Sequence, residues 1–307
     1  MKKPEKVAVI CGGESAERKV SLKTGKAVAT ALEEAPCEVF VFDTDRDLGE
    51  KLIEFEIESA FLALHGRGGE DGVIQGLLEW YQIPYTGPGV TASAVCMDKV
   101  LSKRIYEQLE IPTAPWFVLA EDEEIENRGG FEKMVIKPRL EGSSIGMSIV
   151  EAGKLKGAVK KAREYCAQVL VEEYIPGYEV TVGVIELEDQ LYLPPVGIRS
   201  SHEYFDYETK YTKGLTEYDV PAPLANETLD KLIVLTGKVS RAVGTESLCR
   251  VDYILKDETD PVLLEINTIP GLTSTSLLPM AAKSAGIEFK ELVWELLCRA
   301  MEEKENA

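Results

Sequence analysis

Two apolar segments near the C-terminus place the strongest constraint on how this chain folds. RVDYIL at 250–255 and VLLEIN at 262–267 are separated by a charged KDETDP segment that contains Pro261. Short apolar runs joined by charged residues and a proline predict two strands linked by a turn. Because side chains alternate along a strand, Leu264 and Ile266 should point to one face of this hairpin and the polar residues to the other.

The polar face of the predicted hairpin carries groups that could bind a metal ion. Arg250 and Asp252 share a face of the first strand, and Glu265 and Asn267 share a face of the second. If the register aligns these faces, their carboxylates repel one another unless a cation neutralises them, and oxygen ligands suit a hard ion such as Mg²⁺. Because Mg²⁺ commonly accompanies phosphate, the hairpin predicts a nucleoside triphosphate site. The alternative is a solvated polar face.

The residues after the hairpin favour a binding site over a solvated face. Thr268, Pro270 and Gly271 lead into a run of hydroxyl residues at 273–276. A glycine beside small hydroxyl side chains leaves backbone N–H groups and side-chain donors free to hold an oxyanion or a carboxylate.

Composition excludes several classes of protein. The chain has 307 residues, a net charge of −19 and 45% hydrophobic residues. Such an acidic chain is a poor partner for nucleic acid or for an anionic membrane, and no apolar run is long enough for a transmembrane helix or a signal peptide. The six cysteines have no CxxC spacing, which predicts small reduced core residues and a cytoplasmic protein.

Residues 1–96 predict an α/β domain built on a small parallel sheet covered on both faces. The apolar run KVAVI leads into Gly12 and Gly13 and then a helical pattern, and a third strand, AFLALHG, ends at His65. Glu17 and His65 would lie near strand ends, where open α/β sheets place their ligands. We therefore expect both to contact substrate, although a lone histidine is more often structural.

Residues 97–178 predict a second unit. A single amphipathic helix is expected from 90 to 109, and Lys137 ends a later strand just before a loop rich in glycine and serine at 142–146. Such a loop between two strands can bind phosphate through backbone N–H groups. The next strand reaches Glu172 and meets a hinge at Pro176 and Gly177.

Residues 179–307 predict a third unit that contains the hairpin. The segment 199–218 is polar, rich in aromatic residues and without a clear period. A loop of this length inside a compact domain is commonly functional, so it is expected to act as a lid.

Seven motifs, in order along nearly the whole chain, resemble the D-alanine:D-alanine ligase family of the ATP-grasp superfamily. They are GGESAERKVSL, ALHGRGGEDGVIQG, MDKVLSK, VIKPRLEGSSIG, FDYETKY, CRVDYIL and LLEINTIPGLTSTSLLPMAA. The resemblance implies an ATP-grasp fold, a parallel-sheet N-terminal domain and two α+β domains that clasp ATP. It also implies ligation of two D-alanines through an acyl phosphate, Mg²⁺ or Mn²⁺ with two ions bound, and a homodimer.

The resemblance also implies roles for individual residues. Asp252, Glu265 and Asn267 would hold the metal, while Arg250 and the Gly271 backbone would face the tetrahedral oxyanion. ATP contacts fall on residues spread over the second and third units: Lys99, Lys137, Glu172, Glu173, Tyr174, Ile175, Glu179 and Lys210.

The same resemblance places the substrates. Glu17 would take the ammonium group of the first D-alanine and form a hydrogen-bonded triad with Ser143 and Tyr211. Ser276 and Lys210 would bind the carboxylate of the second substrate and the transferred phosphate. Tyr211 favours a dipeptide product, since relatives that make D-alanyl-D-lactate tend to have histidine there. Cys249 departs from the glycine usual beside Arg250.

Four other functions fit parts of the pattern. A depsipeptide ligase or another carboxylate-amine ligase would share most of the motifs, although Glu17 and Ser143 argue against a distant ATP-grasp member. An inactive nucleotide-binding regulator would be expected to lose a residue of the metal set, and none is lost. A nicotinamide-dependent dehydrogenase rests on Gly12 and Gly13 alone, without the third glycine of that motif.

Overall fold

The computed structural model describes residues 3–200, 216–245, 247–273 and 275–305. Its first sheet is parallel, with strands β1 (Lys6–Cys11), β2 (Glu38–Asp43) and β3 (Ser59–Leu62) in the order β2-β1-β3. The helices of this part are α1 (Arg18–Leu32), α2 (Leu48–Glu54) and α3 (Val73–Trp80). The expected third strand ended at His65, but β3 ends three residues earlier, so His65 lies in the following loop.

Both faces of this parallel sheet are covered, as the continuous apolar run of β1 predicts. Val7 and Val9 belong to a core cluster that includes residues of α1 and of the last helix of the chain. Ala8 and Ile10 point the other way, into a cluster formed with α2 and α3. All four side chains have no exposed surface.

The single helix expected from 90 to 109 is two helices, α4 (Val90–Met97) and α5 (Lys99–Gln108). Asp98 separates them with an extended backbone, and its carboxylate accepts hydrogen bonds from Val100 N at 3.0 Å and Leu101 N at 3.2 Å. An aspartate that satisfies the free N–H groups of a new helix start stabilises the break. The single-helix prediction is therefore wrong at Asp98.

The second sheet is antiparallel, in the order β4-β7-β5-β6. Its strands are β4 (Trp116–Leu119), β5 (Lys133–Pro138), β6 (Ser148–Glu151) and β7 (Val169–Glu173). Helix α6 (Leu155–Arg163) packs on one face through its apolar side, which forms a core cluster with β5 and β7. The other face borders the candidate site.

The third sheet carries the predicted hairpin and has the order β11-β10-β8-β12-β13, with β9 beside β8. Its strands are β8 (Tyr178–Glu186), β9 (Gln190–Tyr192), β10 (Val196–Ser200), β11 (Thr216–Asp219), β12 (Leu248–Lys256) and β13 (Asp260–Asn267). The remaining helices are α7 (Asn226–Val243), α8 (Leu277–Ser284) and α9 (Phe289–Glu305).

Helix α9, the last helix, packs against elements from the N-terminal part of the chain. Leu292 and Leu296 on this helix share a core cluster with Val28 of α1 and with β1. The last helix therefore packs on the N-terminal parallel sheet, and the expected domain limits at 96 and 178 stay a prediction. No helix in the described part of the chain is long and apolar enough to cross a membrane.

Candidate active site

The hairpin aligns its polar faces as the sequence predicts. In the antiparallel register of β12 and β13, Arg250 lies opposite Asn267 and Asp252 lies opposite Glu265. The four side chains therefore meet on one face, which faces the space between the second and third sheets. Within each strand the polar residues lie two positions apart, so they share a face, as alternation predicts.

A β-bulge changes one detail of that face. The register shifts after Asp252, so that Tyr253 pairs with Leu263 and Leu264 has no residue opposite it. Because of this extra residue, Leu264 lines the same cavity as Glu265 instead of lying on the opposite face. The predicted orientation of Leu264 is wrong, since strict alternation fails at a bulge.

Asp252 is the most tightly held carboxylate of the hairpin. Its Oδ1 accepts hydrogen bonds from Arg250 Nε at 2.9 Å and from Thr181 Oγ1 at 2.5 Å. Its Oδ2 accepts from Arg250 Nη2 at 2.9 Å and from Asn267 Nδ2 at 2.8 Å. Burial opposes the charged form of Arg250, but Asp252 outweighs it and raises the pKa of the guanidinium.

The donor set of the hairpin fits a hard divalent ion. Asp252 and Glu265 supply carboxylates from facing positions, and Asn267 supplies an amide oxygen. No group of three or more His, Cys, Asp or Glu side chains with metal-site geometry occurs in the described residues. Two carboxylates and one amide leave room in the coordination shell for phosphate oxygens and water, which is how Mg²⁺ is commonly bound.

The first cavity lies between the second and third sheets and has a volume of about 360 Å³. It is lined by all the predicted ATP contacts that lie in the described residues: Lys99, Lys137, Glu172, Glu173, Tyr174, Ile175 and Glu179. The strand end at 173–174 is fixed by main-chain bonds, since Glu173 N donates to Pro115 O at 2.9 Å and Tyr174 N donates to Lys133 O at 3.0 Å. Lys133 Nζ also lies 4.3 Å from the centre of the Tyr174 ring.

Lys99 lies where the first helix of the second unit meets the glycine-serine loop. Its backbone N donates to Arg139 O at 3.2 Å, and its Nζ donates to Glu141 O. Arg139 in turn pairs with the carboxylate of Asp98. Burial lowers the pKa of Lys99, while the negative charge of Glu265 opposes that shift. The α4–α5 break thus places this lysine near Glu265 on the β12–β13 hairpin.

Lys137 is held by a buried ion network. Its Nζ pairs with Glu172 Oε2 at 2.6 Å, and Lys103 pairs with Glu172 Oε1. Burial favours the neutral carboxyl, but the two ammonium groups outweigh it and lower the pKa of Glu172 to about 2. Sequence reasoning missed Lys103, although it is the last residue of the motif MDKVLSK.

The glycine-serine loop folds back over the site with a left-handed backbone. Ser143 and Ser144 have φ angles of 48° and 59°, and Gly146 has 69°. The Ser143 hydroxyl donates a hydrogen bond to Glu17. A side chain at Gly142 would lie 3.1 Å from Glu17 Oε2, so only glycine leaves ordinary space for this approach.

The second cavity, of about 540 Å³, contains the predicted substrate contacts Glu17, His65, Arg250, Gly271 and Ser276. Six residues line both this cavity and the first one: Lys99, Gly142, Ser143, Arg250, Glu265 and Leu277. The two cavities therefore adjoin at Arg250 and Glu265 of the β12–β13 hairpin. A group bound in one can reach a group bound in the other.

His65 is buried in the wall of the second cavity. Its Nε2 lies 3.0 Å from Thr24 Oγ1, and the ring also hydrogen-bonds the Ile269 backbone. Burial, assisted by the nearby charge of Arg250, lowers the pKa of His65 to about 4. The imidazole is therefore neutral at pH 7.

Glu70 is a cavity residue that sequence reasoning missed. Its Oε2 accepts a hydrogen bond from Gly66 N at 2.7 Å, and it lines the second cavity with Glu17. Burial and the negative charge of Glu17 raise the pKa of Glu70 to about 8. The sequence does contain an indication of this residue, because Glu70 is an acidic residue inside the glycine-rich motif that follows β3.

Ser276 and Gly271 form the far wall of this cavity. Ser276 precedes α8, and its Oγ accepts from Thr273 N at 3.0 Å and lies 2.8 Å from Thr273 Oγ1. A Cβ at position 271 would lie 3.0 Å from Ser276 Oγ, so glycine permits the close approach.

Comparison with known proteins identifies the family. A model described as "D-ala D-ala ligase C-terminus" matches residues 105–298, and one described as "D-ala D-ala ligase N-terminus" matches residues 44–88. The chain belongs to the D-alanine–D-alanine ligase family. The D-alanine–D-alanine ligase of Stutzerimonas stutzeri is 44% identical over 97% of this chain and 95% of its own length. That of Carboxydothermus hydrogenoformans is 41% identical over 98% of this chain and 100% of its own.

Solved ligases of this family share the fold. A D-alanine–D-alanine ligase from Bacillus anthracis has a TM-score of 0.86 and 34% identity, covering 98% of this chain and 99% of its own. The ligase from the same organism complexed with ATP has a TM-score of 0.84 and 30% identity, with the same coverage. The predicted ATP-grasp fold with an N-terminal parallel sheet is confirmed.

Two predicted residues of the ligase site, Lys210 and Tyr211, lie outside the described residues. The strands on either side pair directly, with Ser200 opposite Thr216. Thr216 and Tyr218 line the second cavity. The ends of the predicted loop are thus strands, and its C-terminal end borders the substrate cavity.

Cys249, the departure from the ligase pattern beside Arg250, fits without disturbing the site. It has no exposed surface and packs in the core cluster behind the third sheet with Val251 and Tyr253. Because neighbours on a strand point to opposite faces, the thiol lies away from the Arg250 guanidinium. Burial raises the pKa of Cys249 to about 12.

Proposed function

We propose that this chain joins two D-alanines to D-alanyl-D-alanine at the expense of ATP, with an acyl phosphate as intermediate, and so supplies peptidoglycan precursor synthesis. The observation that carries the proposal is the shared wall of the two cavities, where Lys99, Arg250 and Glu265 face both. Acyl phosphate formation needs a triphosphate and a carboxylate side by side. The ligases of Stutzerimonas stutzeri and Bacillus anthracis support this assignment.

In the first step, a carboxylate oxygen of the first D-alanine attacks the γ-phosphorus of ATP, and the bond to the β,γ-bridging oxygen breaks to release ADP. Negative charge from both reactants accumulates at this point, so fixed cations are needed. Lys99, Lys137 and Arg250 provide them, while 172–175 and Glu179 hold the adenosine end.

Asp252, Glu265 and Asn267 would hold Mg²⁺ or Mn²⁺, and two ions are part of the proposal. When bound, the metal would neutralise phosphate charge. Arg250, with both its Nε and its Nη2 on Asp252, keeps that carboxylate oriented.

Glu17 and Ser143 bind the first D-alanine in this proposal. The carboxylate would take the ammonium group of the substrate, while the hydroxyl of Ser143 fixes the orientation of the carboxylate. Tyr211 completes this triad in the proposal and favours an amine as the second substrate.

In the second step, the amine of the second D-alanine attacks the acyl carbon, the C–O bond to phosphate breaks, and inorganic phosphate leaves. Arg250 and the Gly271 N–H would face the oxyanion, with Ser276 and Lys210 at the substrate carboxylate and the transferred phosphate. The incoming ammonium group must lose a proton first. That proton leaves to solvent. Glu70, whose pKa is raised to about 8, is mostly protonated at pH 7, and His65 is neutral, so neither residue adds charge to the cavity wall there.

A homodimer and a cytoplasmic location complete the proposal. The homodimer rests on the family resemblance, and light scattering after gel filtration would measure the molar mass. The cytoplasmic location is supported by the use of ATP.

Phosphate release with ATP and Mg²⁺ tests the proposed function. We expect release that depends on D-alanine, equal in amount to the dipeptide found by mass spectrometry, and lost when EDTA removes the metal. L-alanine should not replace D-alanine. Equal turnover with both enantiomers would contradict the substrate assignment.

A further inference from the structure

Lys103 is a buried cation behind the nucleotide cavity. Its side chain is 2% exposed, and its ammonium group pairs with Oε1 of Glu172. The other carboxylate oxygen of Glu172 pairs with Lys137 Nζ at 2.6 Å. Lys137 and Glu172 both line the first cavity, whereas Lys103 lines neither of the two cavities described above. Two ammonium groups thus share one carboxylate.

The charge of this trio matters for an anionic ligand. With Lys103 present, two cations and one anion leave a net charge of +1 beside the cavity. Without Lys103, Glu172 would neutralise Lys137, and this wall would present a net charge of zero. Because the network is buried, such a change is weakly screened by solvent and salt.

Lys103 is also linked through hydrogen bonds to strand β13 of the β12–β13 hairpin. Its Nζ donates to Thr113 Oγ1 at 2.6 Å, and Thr113 Oγ1 donates to Leu263 O at 2.8 Å. Leu263 N donates to Pro112 O at 2.8 Å, so the segment at 112–113 runs alongside β13. Leu263 adjoins the bulge that turns Leu264 into the cavity. One lysine therefore contacts both the strand that carries Glu172 and the support of the hairpin.

We propose that Lys103 is a positioning residue for the triphosphate: it holds the Glu172 carboxylate and so leaves the positive charge of Lys137 available to the phosphate groups. The proposal rests on the proposed function only for the identity of the nucleotide. If the role of Lys103 were purely structural, it would only pair with the buried Glu172 carboxylate. Its removal would then affect the binding of charged and uncharged ligands equally.

Equilibrium binding of ATP and of adenosine separates these roles. In Lys103→Met, we expect ATP affinity to fall about 10- to 50-fold, because one positive charge is lost from the buried wall beside the phosphate groups. Adenosine has no phosphate, so its affinity should stay within about twofold. Lys156→Met, which removes an exposed lysine on α6, should leave both affinities unchanged.

A second variant tests the charge argument directly. Lys103→Met/Glu172→Gln restores a net charge of +1, since Lys137 is then the only charged member of the trio. Loss of the Glu172 contact to the adenosine end lowers the affinities for ATP and adenosine alike, so we expect the ratio of the two affinities to return to within about tenfold of the wild-type ratio. If Lys103→Met fails to fold, this double variant decides the question alone.

Three results would overturn the proposal. They are unchanged ATP affinity in Lys103→Met, equal loss of ATP and adenosine affinity in that variant, or a double variant whose ratio of ATP to adenosine affinity is more than about tenfold below that of the wild-type protein. The proposed function is tested separately, because wild-type protein that binds ATP but releases no phosphate with D-alanine would contradict the ligase assignment and leave this inference standing.

Discussion

The hydroxyl of Ser143 donates a hydrogen bond to the carboxylate of Glu17, although 126 residues separate them in the chain. Ser143 belongs to the loop after β5, and Glu17 precedes the first helix on the parallel sheet. The bond therefore joins the second sheet to the N-terminal part of the molecule at the point where the two cavities adjoin.

Removing this hydroxyl should weaken substrate binding. We expect Ser143→Ala to raise the KM for D-alanine about 10- to 100-fold, since a hydrogen bond to a charged group is lost. Initial rates against D-alanine at saturating ATP would measure this. Ser143→Gly is the matched control, because glycine relieves the φ angle of 48°. The glycine variant also lacks the hydroxyl, so a normal KM in it would contradict the role given to this hydrogen bond.

Many residues of the candidate site could be predicted from the sequence, because they lie in short segments where alternation along a strand determines which side chains share a face. Strand alternation predicted that Glu265 and Asn267 share one face of their strand and that Asp252 and Arg250 share one face of theirs. The register that brings these faces together was left open in the prediction, and the bulge after Asp252 provides it.

The position of Leu264 could not be predicted, since the bulge beside it breaks the alternation on which the prediction depended. The break at Asp98 was missed although the hydrogen bonds that Asp98 accepts from Val100 N and Leu101 N are local, and only its ion pair with Arg139 is distant in sequence.

Residues that act through other residues were harder to find. Lys103 shares the buried face of α5 with Val100 and Tyr106, but only the fold brings it to Glu172. Glu70 lies in a recognised motif, but its raised pKa depends on Glu17, which comes from another element. Burial and long-range charge cannot be read from a single sequence.

Acid should destabilise the protein through His65. Its pKa is about 4 in the folded state against an ordinary value of 6.5, so between these pH values the unfolded state binds the extra proton. Stability is therefore lost as the pH falls from 6.5 towards 4. Between pH 6.5 and pH 4, the free energy of unfolding of the wild-type protein should fall by up to about 3 kcal/mol more than that of His65→Gln. Denaturant unfolding at each pH would measure both. Equal losses in both proteins would refute the burial of a neutral imidazole.

The cysteine at 249 should matter for stability and not for catalysis. Its side chain is fully buried behind the third sheet, so Cys249→Ala is expected to cost about 1–2 kcal/mol of unfolding free energy. kcat and both KM values should stay at wild-type levels because the thiol points away from Arg250. A fall in kcat with an unchanged KM would place this side chain in contact with the site.

The central claim is that Asp252, Glu265 and Asn267 on one hairpin hold the divalent ion that brings a triphosphate to an amino-acid carboxylate. Phosphate release dependent on D-alanine, measured in Glu265→Gln, tests it most directly, with Glu258→Gln in the exposed turn of the same hairpin as control. We predict at least about a 1,000-fold loss of kcat in the first variant, normal activity in the second, and unchanged circular dichroism in both. Near-normal turnover in folded Glu265→Gln would contradict the metal site and the mechanism built on it.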